Sequence, residues 1–147
     1  MKSSLSPLII IFGLVFLLIL CACSSNNRVD GWYPVSDYPD NLIVGKPLVT
    51  VNDFDNIALS RDSFVAEGDT VSLVLIQGRV KAEKQQQWAD DTERMIGKRI
   101  GFVYNDSVVT APQINARIES GSFQIISSDT ILIKNIYNSI LQQIKLQ

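Results

Sequence analysis

The chain has 147 residues with 13 Lys and Arg against 15 Asp and Glu, and 46% of it is hydrophobic. That length favours one domain after processing, and the mild, mixed charge lacks the basic face of a nucleic-acid binder. There is no histidine, which removes the commonest general base, the usual catalytic triads and most zinc sites.

The N-terminus reads as an address. Met1-Lys2 gives a short positive start, and Leu8 to Leu20 is an uncharged apolar run, LIIIFGLVFLLIL. That is the length of a signal-peptide core and falls short of the ~20 residues a spanning helix needs. The alternative is an uncleaved N-terminal anchor. Cys21 and Cys23 are the only cysteines, and they lie too close together to staple a domain.

Leu20-Cys21-Ala22-Cys23 resembles the bacterial lipobox, with Ala22 as the small residue before the cut and Cys23 as the lipidated new N-terminus. Cys21 fits that role worse, because Leu20 would then occupy the small-residue position. The resemblance implies a signal peptide over 1–22 and diacylglycerol on the Cys23 sulfur, with a third acyl chain on nitrogen in many bacteria. Several acyl chains give lasting attachment where one gives only a marginal one. With Lys2 removed from the 13 basic groups, 12 face 15 acidic ones, a net of −3. Ser24 is not the Asp that retains lipoproteins at the inner membrane of enteric-type bacteria. The expected place is the cell envelope, at the outer membrane if the host is Gram-negative.

Residues 23–45 read as a lipid-anchored tether and strap. Ser24 to Asp30 is polar and without period, as a flexible linker would be. Gly31 to Asp40 interleaves Trp32, Tyr33 and Tyr38 with Pro34 and Pro39, and the prolines favour extended backbone. Two readings stand: a strap whose rings pack on the domain, or an exposed aromatic platform for a polypeptide, a glycan or membrane headgroups. Exposure of Trp32 distinguishes them.

Residues 46–147 read as the domain. Leu48 to Val51 is a short strand, and Asn52-Asp53-Phe54-Asp55 caps a single helical turn. Ile57 to Leu59 reads as a second short strand. Glu67-Gly68-Asp69 is a turn. Val71 to Ile76 has the near-continuous apolar character of a strand buried on both faces.

Lys81 to Ile96 is a helix with Gln85, Trp88, Thr92, Met95 and Ile96 on one face, and Gly97 suits the left-handed position past its end. Arg99 to Tyr104 and Ser107 to Thr110 form a hairpin around Asn105-Asp106-Ser107. Pro112 cannot donate to a ladder and marks a strand end or an edge. Ser122 to Ile126 is the last strand. Ser127-Ser128-Asp129 caps a final helix with an apolar face of Ile133, Ile136, Tyr137, Ile140, Leu141 and Ile144. Two helices with single apolar stripes on one face of a mainly antiparallel sheet make an α+β two-layer sandwich.

The pattern around the hairpin resembles the head of the first large periplasmic domain of the SecD protein-export subunit. The matching positions are Thr92, Gly97, Lys98, Ile100, Val103, Asp106, Val108, Ala111, Pro112, Ile114, Ile118, Gly121 and Ile125. Upstream, Thr50, Asp53-Phe54 and the strand from Val71 fall where that family has its opening strands, and Asp129 to Ile140 fits its closing helix. The resemblance covers roughly 46–140. It departs at Asn105-Asp106-Ser107, where the family has an Asp-Gly hairpin, so a longer or strained turn is expected. It departs also in lacking the membrane helices, with their proton-carrying carboxylates, of a polytopic SecD.

The resemblance implies a non-catalytic binding or assembly module for polypeptide or an envelope protein complex, docking by the sheet edge near Pro112. The plainer reading of Pro112 is that it only ends a strand. The alternative function is a structural lipoprotein that binds cell wall or glycan through Trp32, Tyr33 and Tyr38. An enzyme is not expected, and no cofactor or metal is implied. Ser63, Ser72 and Ser107 sit in no nucleophile motif. Asp53 with Asp55 reads as a cap, and Asp90 with Asp91 as a solvated helix face; neither has a calcium ligand loop.

Overall fold

The computed structural model describes residues 27–147. The expected signal peptide, Cys21 and Cys23 lie outside the described residues. Seven strands, one 3-10 turn and two helices follow: β1 (Gly31–Val35), β2 (Val49–Thr50), the 3-10 turn (Val51–Asp53), β3 (Phe54–Ala66), β4 (Asp69–Val80), α1 (Ala82–Arg94), β5 (Arg99–Tyr104), β6 (Ser107–Thr110), β7 (Ser122–Ile126) and α2 (Thr130–Lys145).

The fold is α+β, and its antiparallel strands divide into two sheets rather than one. The first has the order β2-β1-β5-β6 and the second β3-β4-β7. The break falls at Val51–Asp53, where the Asp53 carboxylate accepts from the Thr50 backbone N–H at 2.8 Å and its hydroxyl at 3.1 Å. This tight turn lifts the chain out of the first sheet and into β3. Asp53 is thus held as a capping group, as its sequence position suggested, and Lys84 sits 3.6 Å from its other oxygen.

The strand Gly31–Val35 was expected as an extended strap. It is an inner strand of the first sheet, running from Gly31↔Val103 to Val35↔Arg99 against β5. Pro34 is tolerated there for a geometric reason. Its partner Ile100 sends its N–H the other way, to the Pro112 carbonyl at 3.1 Å, so the missing Pro34 N–H would point away from β5. On that side the regular β2 ladder reaches only Gly31 and Trp32, and Pro34 meets an isolated bridge, Val35↔Ile43, in which its carbonyl accepts from the Val44 N–H at 3.0 Å, so the missing donor interrupts no regular strand pairing.

Two hairpins are closed by two-residue turns with both central residues at positive φ. Glu67 (52°) and Gly68 (90°) join β3 to β4, and Asn105 (47°) and Asp106 (61°) join β5 to β6. Positive φ at both positions matches the twist of the flanking strands. Asn and Asp are the non-glycine residues that enter this region most readily. The second turn is therefore not lengthened: Tyr104 pairs with Ser107 directly across it.

The β3–β4 hairpin is much longer than the short strands expected. Register runs from Phe54↔Val80 to Ala66↔Asp69, while β7 pairs only with Leu75 to Arg79. Beyond Leu75 the hairpin is a two-stranded arm, so Val71 is exposed and only Leu75 and Ile76 of the expected both-face strand are buried.

The apolar faces of the two sheets meet through aromatic rings. Trp32 lies 5.5 Å from Phe102 and 6.1 Å from Phe123, and Phe54 lies 4.3 Å from Phe123. Ile133, Ile136 and Ile140 of α2 join the same core with no exposed surface. Each such side chain contributes about 1.5–3 kcal/mol by leaving water. Gly78 is required here, because the Phe123 ring occupies the space a β-carbon would take.

Candidate functional site

β6 has β5 as its only strand partner among the described residues, and β7 has only β4. These two free edges face one another across a cleft of about 520 Å³, within the usual size of a ligand pocket. Thr110 and Pro112 line it from the β6 side, and Phe123, Gln124 and Ile126 from β7. Trp32, Trp88 and Ile100 line its inner part, and Ile114 and Ile118 come from the connection between the strands. The lining is mainly apolar. The Trp32 Nε1–H is buried without a hydrogen-bond partner among the described residues, an uncommon and costly condition.

The connection from Ala111 to Gly121 is irregular in outline yet firmly held. Gly97, with φ of 79°, turns the chain out of α1 and donates its N–H to the Ile114 carbonyl at 2.8 Å. The Ile114 N–H donates in turn to Lys98 at 2.9 Å. Thr92 is fully buried on α1. Its hydroxyl accepts from the Ile118 N–H at 3.0 Å and donates to the Ala89 carbonyl at 3.0 Å. The Trp88 Nε1–H reaches the Ser122 carbonyl at 3.3 Å, so one helix fixes both the wall and the start of β7.

Outside the wall, Arg117 bonds Asp90 at 2.9 Å and Glu93 at 2.8 Å, with Glu119 at 3.5 Å. The guanidinium holds the Asp90 carboxyl below the usual carboxylate range, chiefly through that hydrogen bond. The same bond raises the Arg117 pKa above its ordinary value. Asp90 is thus a fastening rather than a bare solvated charge. Asp91, expected on the solvated face as well, is 4% exposed and paired with Arg94.

The structure brings two of the sequence-derived candidates together and separates the others. Trp32 and Pro112, far apart in sequence, line the same cleft. Pro112 is exposed beyond the end of β6. Burial excludes Trp32 and Tyr33 from a surface platform: they are 2% and 3% exposed, whereas Tyr38 is 77% exposed. The Tyr33 hydroxyl donates to the Val29 carbonyl at 2.6 Å. Trp88, Ile118, Phe123 and Ile126 are cleft residues that carried no functional signal in sequence, since each looks like an ordinary core position.

Ser63 and Ser72 face each other across the arm and Ser107 follows the β5–β6 turn, so the serines form no common site. Among the described residues no three His, Cys, Asp or Glu side chains gather as metal ligands would, and no helix is long and apolar enough to cross a membrane.

A family model, described as the SecDF P1 head subdomain, matches residues 33–132. The chain belongs to the SecDF P1 head family. The match begins inside β1 and takes in its last three residues, Tyr33 to Val35. Two solved structures of SecDF share the fold. One is the crystal structure of SecDF in super-membrane-facing form, with a TM-score of 0.52 at 22% identity, covering 71% of this chain and 13% of that one. The other is a structure of the membrane component SecDF that enhances protein export, with a TM-score of 0.58 at 17% identity, covering 97% of this chain and 71% of that one. No curated protein matches the chain.

Proposed function

We propose that this chain is a membrane-anchored envelope lipoprotein whose SecDF head-like domain is a non-catalytic binding module. It takes an extended polypeptide segment, presented by an unfolded chain or by an envelope protein complex, in the cleft between β6 and β7. The observation that carries this reading is the pair of strand edges, without a further strand partner among the described residues, that face across an apolar cleft. An extended chain laid there gains main-chain hydrogen bonds from an edge and buries alternate side chains against the cleft wall. The unpartnered Trp32 N–H is a donor that such a segment could satisfy after a small parting of the edges. The anchor rests on the lipobox at Cys23, and the protein-binding role on the family's association with protein export.

The alternative of a glycan platform loses two of its three rings to the core, and no observation favours it. The test is site-specific photocrosslinking in intact cells. A crosslinker at Gln124, in the cleft, is expected to capture envelope polypeptides that one at Lys134, on the outer side of α2, does not. Ile126→Glu, which puts a charge on the cleft wall, is expected to weaken binding of an unfolded apolar peptide at least tenfold. Identical adducts at Gln124 and Lys134, with unchanged peptide affinity in Ile126→Glu, would overturn the reading.

A further inference from the structure

Residues 27–30 do not behave as the free linker their composition suggests. The Arg28 N–H donates to Asp106 Oδ1 at 3.0 Å, and the Arg28 guanidinium lies 3.6 Å from the same oxygen. Two residues on, Asp30 Oδ1 accepts from the Asn105 N–H at 2.8 Å. Between them the Val29 carbonyl accepts from Tyr33, and the Asp30 carbonyl accepts from the Val51 N–H at 2.9 Å. The two residues engaged, Asn105 and Asp106, are the pair at positive φ in the β5–β6 turn. The segment is therefore stitched to one pole of the domain from both sides.

We propose that this contact is a clasp that fixes the point at which the lipid tether leaves the domain, setting the β5–β6 pole against the headgroup surface and turning the cleft away from it. The chain arithmetic supports this. Four peptide units separate Cys23 from Asn27, and fully extended they span at most about 14 Å. The pole cannot leave the membrane by more than that while the clasp is closed. β6 starts at this pole and runs outward, so Thr110, where the cleft begins, lies roughly 10 Å farther along the strand. The surface at the pole is polar at Asn27, Arg28, Asn105 and Asp106, which line a small shared pocket, as suits contact with headgroups rather than insertion among acyl chains. An unclasped tether would add the reach of three further residues and leave the domain free to tumble over its anchor.

This inference rests on the lipid anchor at Cys23, and the experiment separates the two. The full lipidated chain is reconstituted in phosphatidylethanolamine–phosphatidylglycerol vesicles with a donor dye at Ser107→Cys or at Gln113→Cys and an acceptor on the lipid headgroup. Energy transfer is expected to be at least twofold stronger from position 107. Asp30→Ala combined with Asp106→Ala is expected to erase that difference and to speed trypsin cleavage after Arg28 at least tenfold. A Gly/Ser insertion between Ser25 and Asn26 leaves the clasp residues untouched. It is expected to erase the transfer difference while trypsin protection stays, which keeps the test valid if the double variant folds poorly. A chain that fails to float with vesicles overturns the anchor and the orientation with it. A chain that floats but transfers equally from both positions overturns the orientation, and one whose Arg28 bond is cut as fast as in a free peptide overturns the clasp; neither result touches the anchor.

Discussion

Thr92→Val removes one hydroxyl and keeps the side-chain volume almost unchanged. In the native fold that hydroxyl accepts from the Ile118 N–H and donates to the Ala89 carbonyl. The Ala89 carbonyl lies within α1, where the helical ladder offers it another donor, so little is lost there. The Ile118 N–H, in a half-buried position, loses its partner, and leaving a donor unpaired where water does not replace that partner costs about 1–3 kcal/mol. For a domain of this size a loss of 1 kcal/mol lowers Tm by roughly 4 °C, so a fall of about 4–12 °C is expected. Thr92→Ser makes the converse change: it keeps both bonds and gives up a buried methyl group, at about 1 kcal/mol.

Thermal melts alone separate these two variants poorly, so the deciding assay is amide hydrogen exchange. The Val variant is expected to raise exchange at Ile118 and its neighbours in the cleft wall, and the Ser variant is expected to leave it near the native rate. A Val variant as stable as the native chain, with Ile118 still protected, would refute the claim that Thr92 fixes the wall.

Two further outcomes follow from the same structure. Asp129 accepts from the Ile131 and Leu132 N–H groups at 2.9 Å each, so Asp129→Ala is expected to cost about 1 kcal/mol, read as a lower urea midpoint with unchanged slope. The Asp90 carboxyl is held below its ordinary range by Arg117, so the pair's contribution is present above the unfolded-state pKa and disappears as pH falls through the lowered folded value. The melting difference between the native chain and Arg117→Gln is expected at pH 7 and to shrink on acidification until the Asp90 carboxyl is protonated in the folded chain; a difference that does not change with acid would count against the pair.

What was legible in the sequence follows from which forces act locally. Both helices could be read because their apolar spacing, the Asp129 cap and Gly97 are local signals. The Asn105-Asp106 reversal was equally legible as a turn, though its tightness was not, since only backbone φ shows that no extra residue is needed. The β3–β4 arm was missed because Arg61, Asp62 and Ser63 lie beyond the three-stranded part of the sheet, where neither face is buried and no period-two pattern is imposed. β1 was hidden by Pro34, whose tolerance depends on how far β2 extends. Trp32 and Pro112 were each singled out for separate reasons, and nothing local could show that they share a cleft. The rest of that cleft comes from residues whose types mark only a core.

The pairing of β1 with β5 also sets an order of events. Gly31 meets Val103, a separation of 72 residues by their numbers, whereas β3 and β4 meet across a two-residue turn. A chain made from its N-terminus forms the local hairpin first. β1 must wait for β5, with Trp32 uncovered in the interval. Distant pairings of this kind slow folding and prolong the exposure of apolar surface. The same tryptophan that ends in the cleft is therefore a side chain in need of protection while the domain is being completed.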